Sequence, residues 1–131
     1  MPEADELYPE HILDHYKHPR NKGILEPASY WARDTNPLCG DELTIYLRVD
    51  GSERISDVRF DGRACVISQA SASMFTEDLR GKSVAEVVRL GREDVLRNIR
   101  VSLPTARMKC ALLPLHALRR ALGLSPEAPE A

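Results

Sequence analysis

The chain has 131 residues, 43% of them hydrophobic and 29% charged, with a formal net charge of -2. Those values describe one soluble globular domain with enough chain to bury a core, and they exclude the basic surface of a nucleic-acid-binding protein. No stretch approaches the roughly 20 apolar residues of a membrane span, and the acidic opening Met1-Pro2-Glu3-Ala4-Asp5-Glu6 is no signal peptide, so a cytoplasmic protein without a membrane partner is expected.

In chain order, Leu7 to Tyr16 predicts a helix with Leu7, Ile12, Leu13 and Tyr16 on one apolar flank, ending at Pro19. His11, His15 and His18 fall on one face of it, a spacing that serves a metal but more often belongs to packed or solvated histidines. Residues 24–38 hold Pro27 and Pro37 and little periodicity, which predicts a connecting segment anchored by Tyr30 and Trp31. Leu43, Ile45, Leu47 and Val49 alternate with Thr44, Tyr46 and Arg48, a half-buried strand. After the turn Asp50-Gly51, a second strand runs through Ile55, Val58 and Phe60, and after Asp61-Gly62 a short third one is predicted from Ala64 to Ser68.

Ser68 is placed to cap a helix from Gln69 to about Arg80, ended by Gly81. Its small residues Ala70 to Ser73 permit close packing, and Met74 and Phe75 supply core contacts. Ser83-Val84-Ala85-Glu86 is a capping box opening a short helix that Gly91 closes, and Glu93 to Ile99 makes another. Leu103-Pro104-Thr105 starts a last helix reaching Leu122, and the proline-rich tail 125–131 is expected to be disordered. The fold class expected is α+β, a small three-stranded antiparallel sheet packed with several helices in a single domain.

Cys39, Cys65 and Cys110 are three cysteines, an odd number that argues against a secreted disulfide framework. Cys39 and Asp41 flank Gly40 after Pro37, where a bend lets a thiol and a carboxylate face one locus. Cys65 and Cys110 could complete a Cys3Asp set, yet 25 residues separate Cys39 from Cys65 and 44 separate Cys65 from Cys110, with no Cys-x-x-Cys motif. From spacing alone both a metal site and buried inert thiols stand, and inert thiols are the simpler reading. Cys110 lies near the start of a helix, just after Arg107 and Lys109, where the helix dipole and both cations favour thiolate, although the two cations equally suit ordinary solvated positions. Pro114, four residues on, deprives the Cys110 carbonyl of its helical N–H and predicts a kink.

Asp14-His15-Tyr16, Pro19-Arg20-Asn21, Asn36-Pro37-Leu38-Cys39-Gly40-Asp41, Ser71-Ala72-Ser73-Met74 and Lys109-Cys110-Ala111, in that order, resemble the NifU-like scaffold family of iron–sulfur cluster assembly, with its IscU and SufU branches. The likeness runs from about Tyr8 to Leu122 and implies a scaffold domain over residues 1–124. It implies that Cys39, Asp41, Cys65 and Cys110 meet at one exposed site, binding a transient [2Fe–2S] cluster or Zn2+. It further implies no catalytic residue of the ordinary kind, with Cys39, Cys65 and Cys110 as persulfide-accepting candidates, and a cysteine desulfurase and recipient apoproteins as partners.

Ala70 to Met74 and Lys109-Cys110 look like the SufU branch, whereas the IscU branch carries histidine at the position of Lys109. The SufU branch typically has an insertion before its third cysteine that this chain lacks. Leu103-Pro104-Thr105-Ala106-Arg107 stands where IscU has the chaperone-binding Leu-Pro-Pro-Val-Lys and shares its first two residues, so chaperone docking is left out of the expectation. Ala64 stands where the family commonly has glycine. The leading expectation is therefore a scaffold that builds a cluster from iron and desulfurase-derived sulfur and passes it on. The alternative is a zinc-bound sulfur acceptor, and a third reading is a purely structural zinc.

Overall fold

The computed structural model describes residues 8–37 and 40–124. Its centre is strand β2 (Asp41–Val49), on which Leu43, Ile45 and Leu47 turn one fully buried row toward the helices. Strand β3 (Ile55–Asp61) pairs antiparallel with it, from Thr44 opposite Asp61 to Val49 opposite Ile55, with an irregularity at Arg48 and Val49. Strand β1 (Tyr30–Asn36) pairs along its other edge, from Tyr30 opposite Leu47 to Asn36 opposite Asp41, giving the order β1-β2-β3.

Among the described residues five helices complete the fold: α1 (Glu10–Lys17), α2 (Val66–Leu79), α3 (Val84–Val87), α4 (Arg92–Ile99) and α5 (Thr105–Ala121). Helices α2 and α5 lie against the apolar face of the sheet and against each other. Leu43, Ile45, Leu47, Val58 and Phe60 of the sheet meet Phe75 and Leu79 of α2 and Leu113, Leu115 and Leu118 of α5 in the main core. A second cluster under α1 joins Ile12 to Ile67, Ala70, Met74, Ile99, Cys110 and Ala111. Met74 and Phe75 are thus core residues, as expected.

The small residues of α2 are hydrogen-bonding groups as well as spacers. The Ser71 hydroxyl donates to the Ala111 carbonyl at 2.6 Å, tying α2 to α5. Ser73 Oγ accepts the Arg20 N–H at 2.9 Å and meets His15 Nδ1 at 2.7 Å, tying α1 and its exit loop to α2. Arg20 and Asp14 close that loop with an ion pair at 2.8 Å, and the Asn21 amide donates to Thr76 Oγ1. The motifs Asp14-His15-Tyr16 and Pro19-Arg20-Asn21 therefore do structural work around the serine–threonine face of α2.

The predicted helix, capping box and strand pair appear, with three corrections. The third strand is Tyr30–Asn36, where a connecting segment was expected, and 64–68 is no strand because α2 begins at Val66. Ala-Cys-Val-Ile-Ser is too short an apolar run to separate strand from buried helix by periodicity. The third position of the sheet lies instead on the far edge of β2, filled by a polar strand whose aromatic and threonine content suits a pleated surface. Second, Tyr30 and Trp31 are not buried anchors, being 38% and 62% exposed on β1. Third, Gly91 does not close α3 but precedes α4, donating its N–H to the Asp94 carboxylate at 2.9 Å. The Ser83–Glu86 capping box forms as predicted. The tail 125–131 lies outside the described residues.

Candidate metal centre

Asp41 opens β2, Cys65 precedes α2, and Cys110 sits in the second turn of α5. The sheet and the two helices bring them together: one carboxylate oxygen and the two sulfurs all lie within 4.8 Å of one another. Cys39 and Leu38 lie outside the described residues, so the fourth expected ligand is known here by sequence alone, between Pro37 and Gly40. Gly40 takes φ +71°, a left-handed conformation that glycine adopts without strain, and donates to the Asn36 carbonyl at 2.9 Å. The β1–β2 turn thus ends beside the other expected ligands.

The approach of Asp41 to Cys65 is set by the loop that leaves β3. The Glu42 N–H donates to the Arg63 carbonyl at 2.8 Å. Gly62, at φ +140°, presses so near that a Cβ there would overlap the Glu42 carbonyl oxygen and lie 3.0 Å from Leu43 Cα. The next residues deliver Cys65 to the start of α2, where its own N–H donates to Asp41 Oδ1 at 3.1 Å.

Cys65, and not Ser68, is the N-cap residue of α2. Its Sγ accepts the Ser68 N–H at 3.5 Å. The Ser68 side chain points elsewhere, its Oγ 2.8 Å from Asp41 Oδ2 and 2.9 Å from the Cys110 carbonyl. Asp41 therefore occupies the positive N-terminal end of α2 and accepts donors from it on both oxygens, a favourable place for a carboxylate. The Cys110 carbonyl is the group that Pro114 leaves without a helical N–H, and the Ser68 hydroxyl reaches it from the neighbouring helix.

The site is more enclosed than expected. Asp41 is 5% exposed and Cys110 1%, because both sit where β2, α2 and α5 converge, while Cys65 is half-buried and opens the cluster outward. Arg107 provides the charge at this opening. Tyr8 chiefly, opposed by burial, and then Cys65 and Cys110 raise its pKa above the usual arginine value, with a hydrogen bond to Cys110 among the causes. A guanidinium so placed neutralises thiolates once a metal holds them in that form. Lys109 is exposed. Asn36 adds a long contact from Nδ2 to Cys110 Sγ at 3.9 Å.

Sequence reasoning missed Ser68 and Asn36 as parts of the site. Pro114 did signal an orphaned carbonyl at Cys110, but nothing local named its donor, which lies 42 residues away in sequence. The histidines on α1 make no metal cluster among the described residues. His11 Nε2 contacts the Ile99 carbonyl at 2.8 Å and His15 turns to Ser73.

Residues 7–127 match the model of the NifU-like N terminal domain. The chain belongs to that family. Among its relatives is an iron–sulfur cluster assembly scaffold protein, IscU 1, of Archaeoglobus fulgidus, 37% identical over 116 residues that cover 88% of this chain and 74% of that one. The zinc-dependent sulfurtransferase SufU of Bacillus subtilis is 36% identical over 136 aligned positions, covering 91% of both chains. The fold is likewise shared with a solved structure from Fervidobacterium islandicum AW-1, a candidate iron–sulfur cluster assembly scaffold for the SUF system. That match has a TM-score of 0.76 and 31% identity, covering 91% of this chain and 98% of the other. The α+β fold with a three-stranded antiparallel sheet is that of this NifU-like family.

The donor set fits a soft transition metal. Two thiolates and a carboxylate, with a cation alongside, suit zinc or an iron–sulfide core far better than the all-oxygen ligands of calcium or magnesium.

Proposed function

We propose that residues 1–124 form an iron–sulfur cluster assembly scaffold, on which a [2Fe–2S] cluster is built from iron and desulfurase-derived sulfur and then passed to recipient apoproteins. The observation that carries this is the convergence of Asp41, Cys65 and Cys110 within 4.8 Å in a NifU-like fold. Cys39, two residues before Asp41, is the fourth ligand in this reading. Three thiolates and one carboxylate hold the cluster less firmly than four thiolates would, which suits a cargo meant to leave. The chain then has no catalytic residue of its own. A cysteine desulfurase supplies the sulfur, and the work is done in the cytoplasm. No helix among the described residues is long and apolar enough to cross a membrane.

A second reading has its own support in the likeness to SufU over 91% of both chains and in Lys109 beside Cys110. Here Zn2+ occupies the same ligands, and the protein is a sulfurtransferase. A cysteine thiolate of this chain attacks the terminal sulfur of the desulfurase persulfide. A new S–S bond forms, the old one breaks, and the desulfurase cysteine departs as thiolate, so no external oxidant or reductant is needed. Zinc organises the thiolates and carries no redox chemistry.

Metal and acid-labile sulfide analysis of anaerobically isolated protein separates the two. Iron and sulfide near two each per chain support the scaffold. Zinc near one equivalent without sulfide, together with faster cysteine turnover when the chain is added to its desulfurase, supports the sulfurtransferase. Neither metal nor sulfide, with no uptake on reconstitution, overturns both.

A further inference from the structure

Ser68 is fully buried in the first turn of α2. Its Oγ lies 2.8 Å from Asp41 Oδ2, 2.9 Å from the Cys110 carbonyl oxygen and 3.7 Å from Cys65 Sγ. A serine hydroxyl carries one proton, so it donates to only one of the two oxygens at a time. Both have a claim on it. The Cys110 carbonyl has lost its helical donor to Pro114, and Asp41 is a buried carboxylate.

An ionised carboxylate is the stronger acceptor, making hydrogen bonds roughly twice as strong as neutral ones. While Asp41 binds no metal, the proton belongs on Oδ2. A cation on the carboxylate withdraws its charge, and the Cys110 carbonyl, at 2.9 Å, then becomes the competitive acceptor. The change needs only rotation about the Cβ–Oγ bond, because both oxygens already stand at hydrogen-bonding distance.

We propose that Ser68 is a positioning residue for metal release: its hydroxyl docks the Asp41 carboxylate whenever that ligand is off the metal, and turns to the Cys110 carbonyl when it is on. This rests on the reading of Asp41, Cys65 and Cys110 as ligands. The docked carboxylate keeps a strong partner, so detaching Asp41 from the metal does not leave a bare buried charge. Ser68 thereby narrows the gap between the bound and released states. Its effect opposes tight binding, unlike that of an ordinary outer-shell residue, whose loss weakens a metal site.

The test is titration of the metal-free full chain with Co2+, followed by the thiolate charge-transfer and ligand-field bands, with release to a chelator timed in the same samples. Ser68→Ala removes the docking partner. Alanine is well suited to a helix, so the fold is expected to hold. The variant should bind Co2+ about three- to tenfold more tightly and release it correspondingly more slowly, the difference between a charged and a neutral hydrogen bond. Ser68→Thr retains the hydroxyl and should stay near the parent values. In an Asp41→Ala background, Ser68→Ala should change neither affinity nor release, because the group through which it acts is gone. A Ser68→Ala chain that is less stable without metal, yet binds Co2+ as the parent does or more weakly, assigns Ser68 a merely structural role and overturns the inference alone. Absence of thiolate-to-cobalt bands in the parent overturns the metal-centre reading and this inference with it.

Discussion

Asp41 is held by two donors from one helix turn, and on the proposed reading this makes it an exchangeable ligand as well as a well-placed one. A carboxylate can protonate, shift between one- and two-oxygen binding, or swing to its docking donors, and each route opens a coordination position to an incoming thiolate. Asp41→Ala is therefore expected to lengthen the half-life of a bound [2Fe–2S] cluster, read from visible absorbance during anaerobic transfer. For zinc the same change should weaken binding by at least about 10-fold, since even outer-shell changes reach that size. A cluster lost faster from the variant would make Asp41 a simple anchor. His15 gives the residue scale its pH dependence. Burial chiefly, and then the Arg20 charge, lower its pKa below 6.5 against the raising influence of Glu77 and Asp14. The folded chain thus favours the neutral imidazole, and its contribution is complete above the unfolded value of 6.5. It is lost as pH falls from there through the lower folded value, because the unfolded chain takes up the proton first. Urea melts across that range should show stability declining on acidification, with a shallower decline in His15→Gln.

Among the elements, the N-terminus of α2 governs the site. It supplies Cys65, the Cys65 N–H and the Ser68 hydroxyl, and its position depends on the loop from β3 that Gly62 lets pass over β2. A methyl group at Gly62 meets backbone on β2, which cannot move aside as a flexible side chain would. Gly62→Ala should cost about 2–4 kcal/mol by chemical denaturation, from the unfavourable φ and the forced separation together. Because the displaced loop carries Cys65 away from Asp41, Co2+ binding should weaken as well. Loss of stability with unchanged metal affinity would show that the loop and the site are independent. Helix α5 contributes differently. Pro114 removes one of its own hydrogen bonds, and the Ser68 hydroxyl of the neighbouring α2 stands 2.9 Å from the carbonyl concerned, shared between it and Asp41.

At the scale of the whole molecule, one sheet end and two helices converge on one ligand set, and the described residues hold no second group of three metal-binding side chains. On the proposed reading, zinc and cluster compete for that set. Preloading one equivalent of Zn2+ is expected to block cluster reconstitution until a chelator removes it, measured by iron, sulfide and zinc content of the same sample. Recovery of zinc together with a full cluster on each chain would require separate sites. Among the described members of the set, Asp41 and Cys110 are enclosed and Cys65 is the one that reaches toward the surface.

What the sequence determined by itself is whatever depends on near neighbours in the chain. Alternation from Leu43 to Val49 dictates a strand, Ser83 and Glu86 cap a helix, and Pro114 deprives the Cys110 carbonyl of its helical N–H. The ordered motifs also implied the family and the ligands Cys39, Asp41, Cys65 and Cys110. The convergence of Asp41, Cys65 and Cys110 is visible in the fold, whereas Cys39 lies outside the described residues. Tertiary structure alone decided which segment became the third strand. Tyr30–Asn36 is polar and has no burial of its own to announce it, and only pairing with β2 makes it extended. It also decided the cap of α2 and the work of Ser68, because the partners of that hydroxyl lie 27 and 42 residues away. Local propensity carries no information at such separations. Hydrogen bonds across elements do, and they exist only once β2, α2 and α5 have packed.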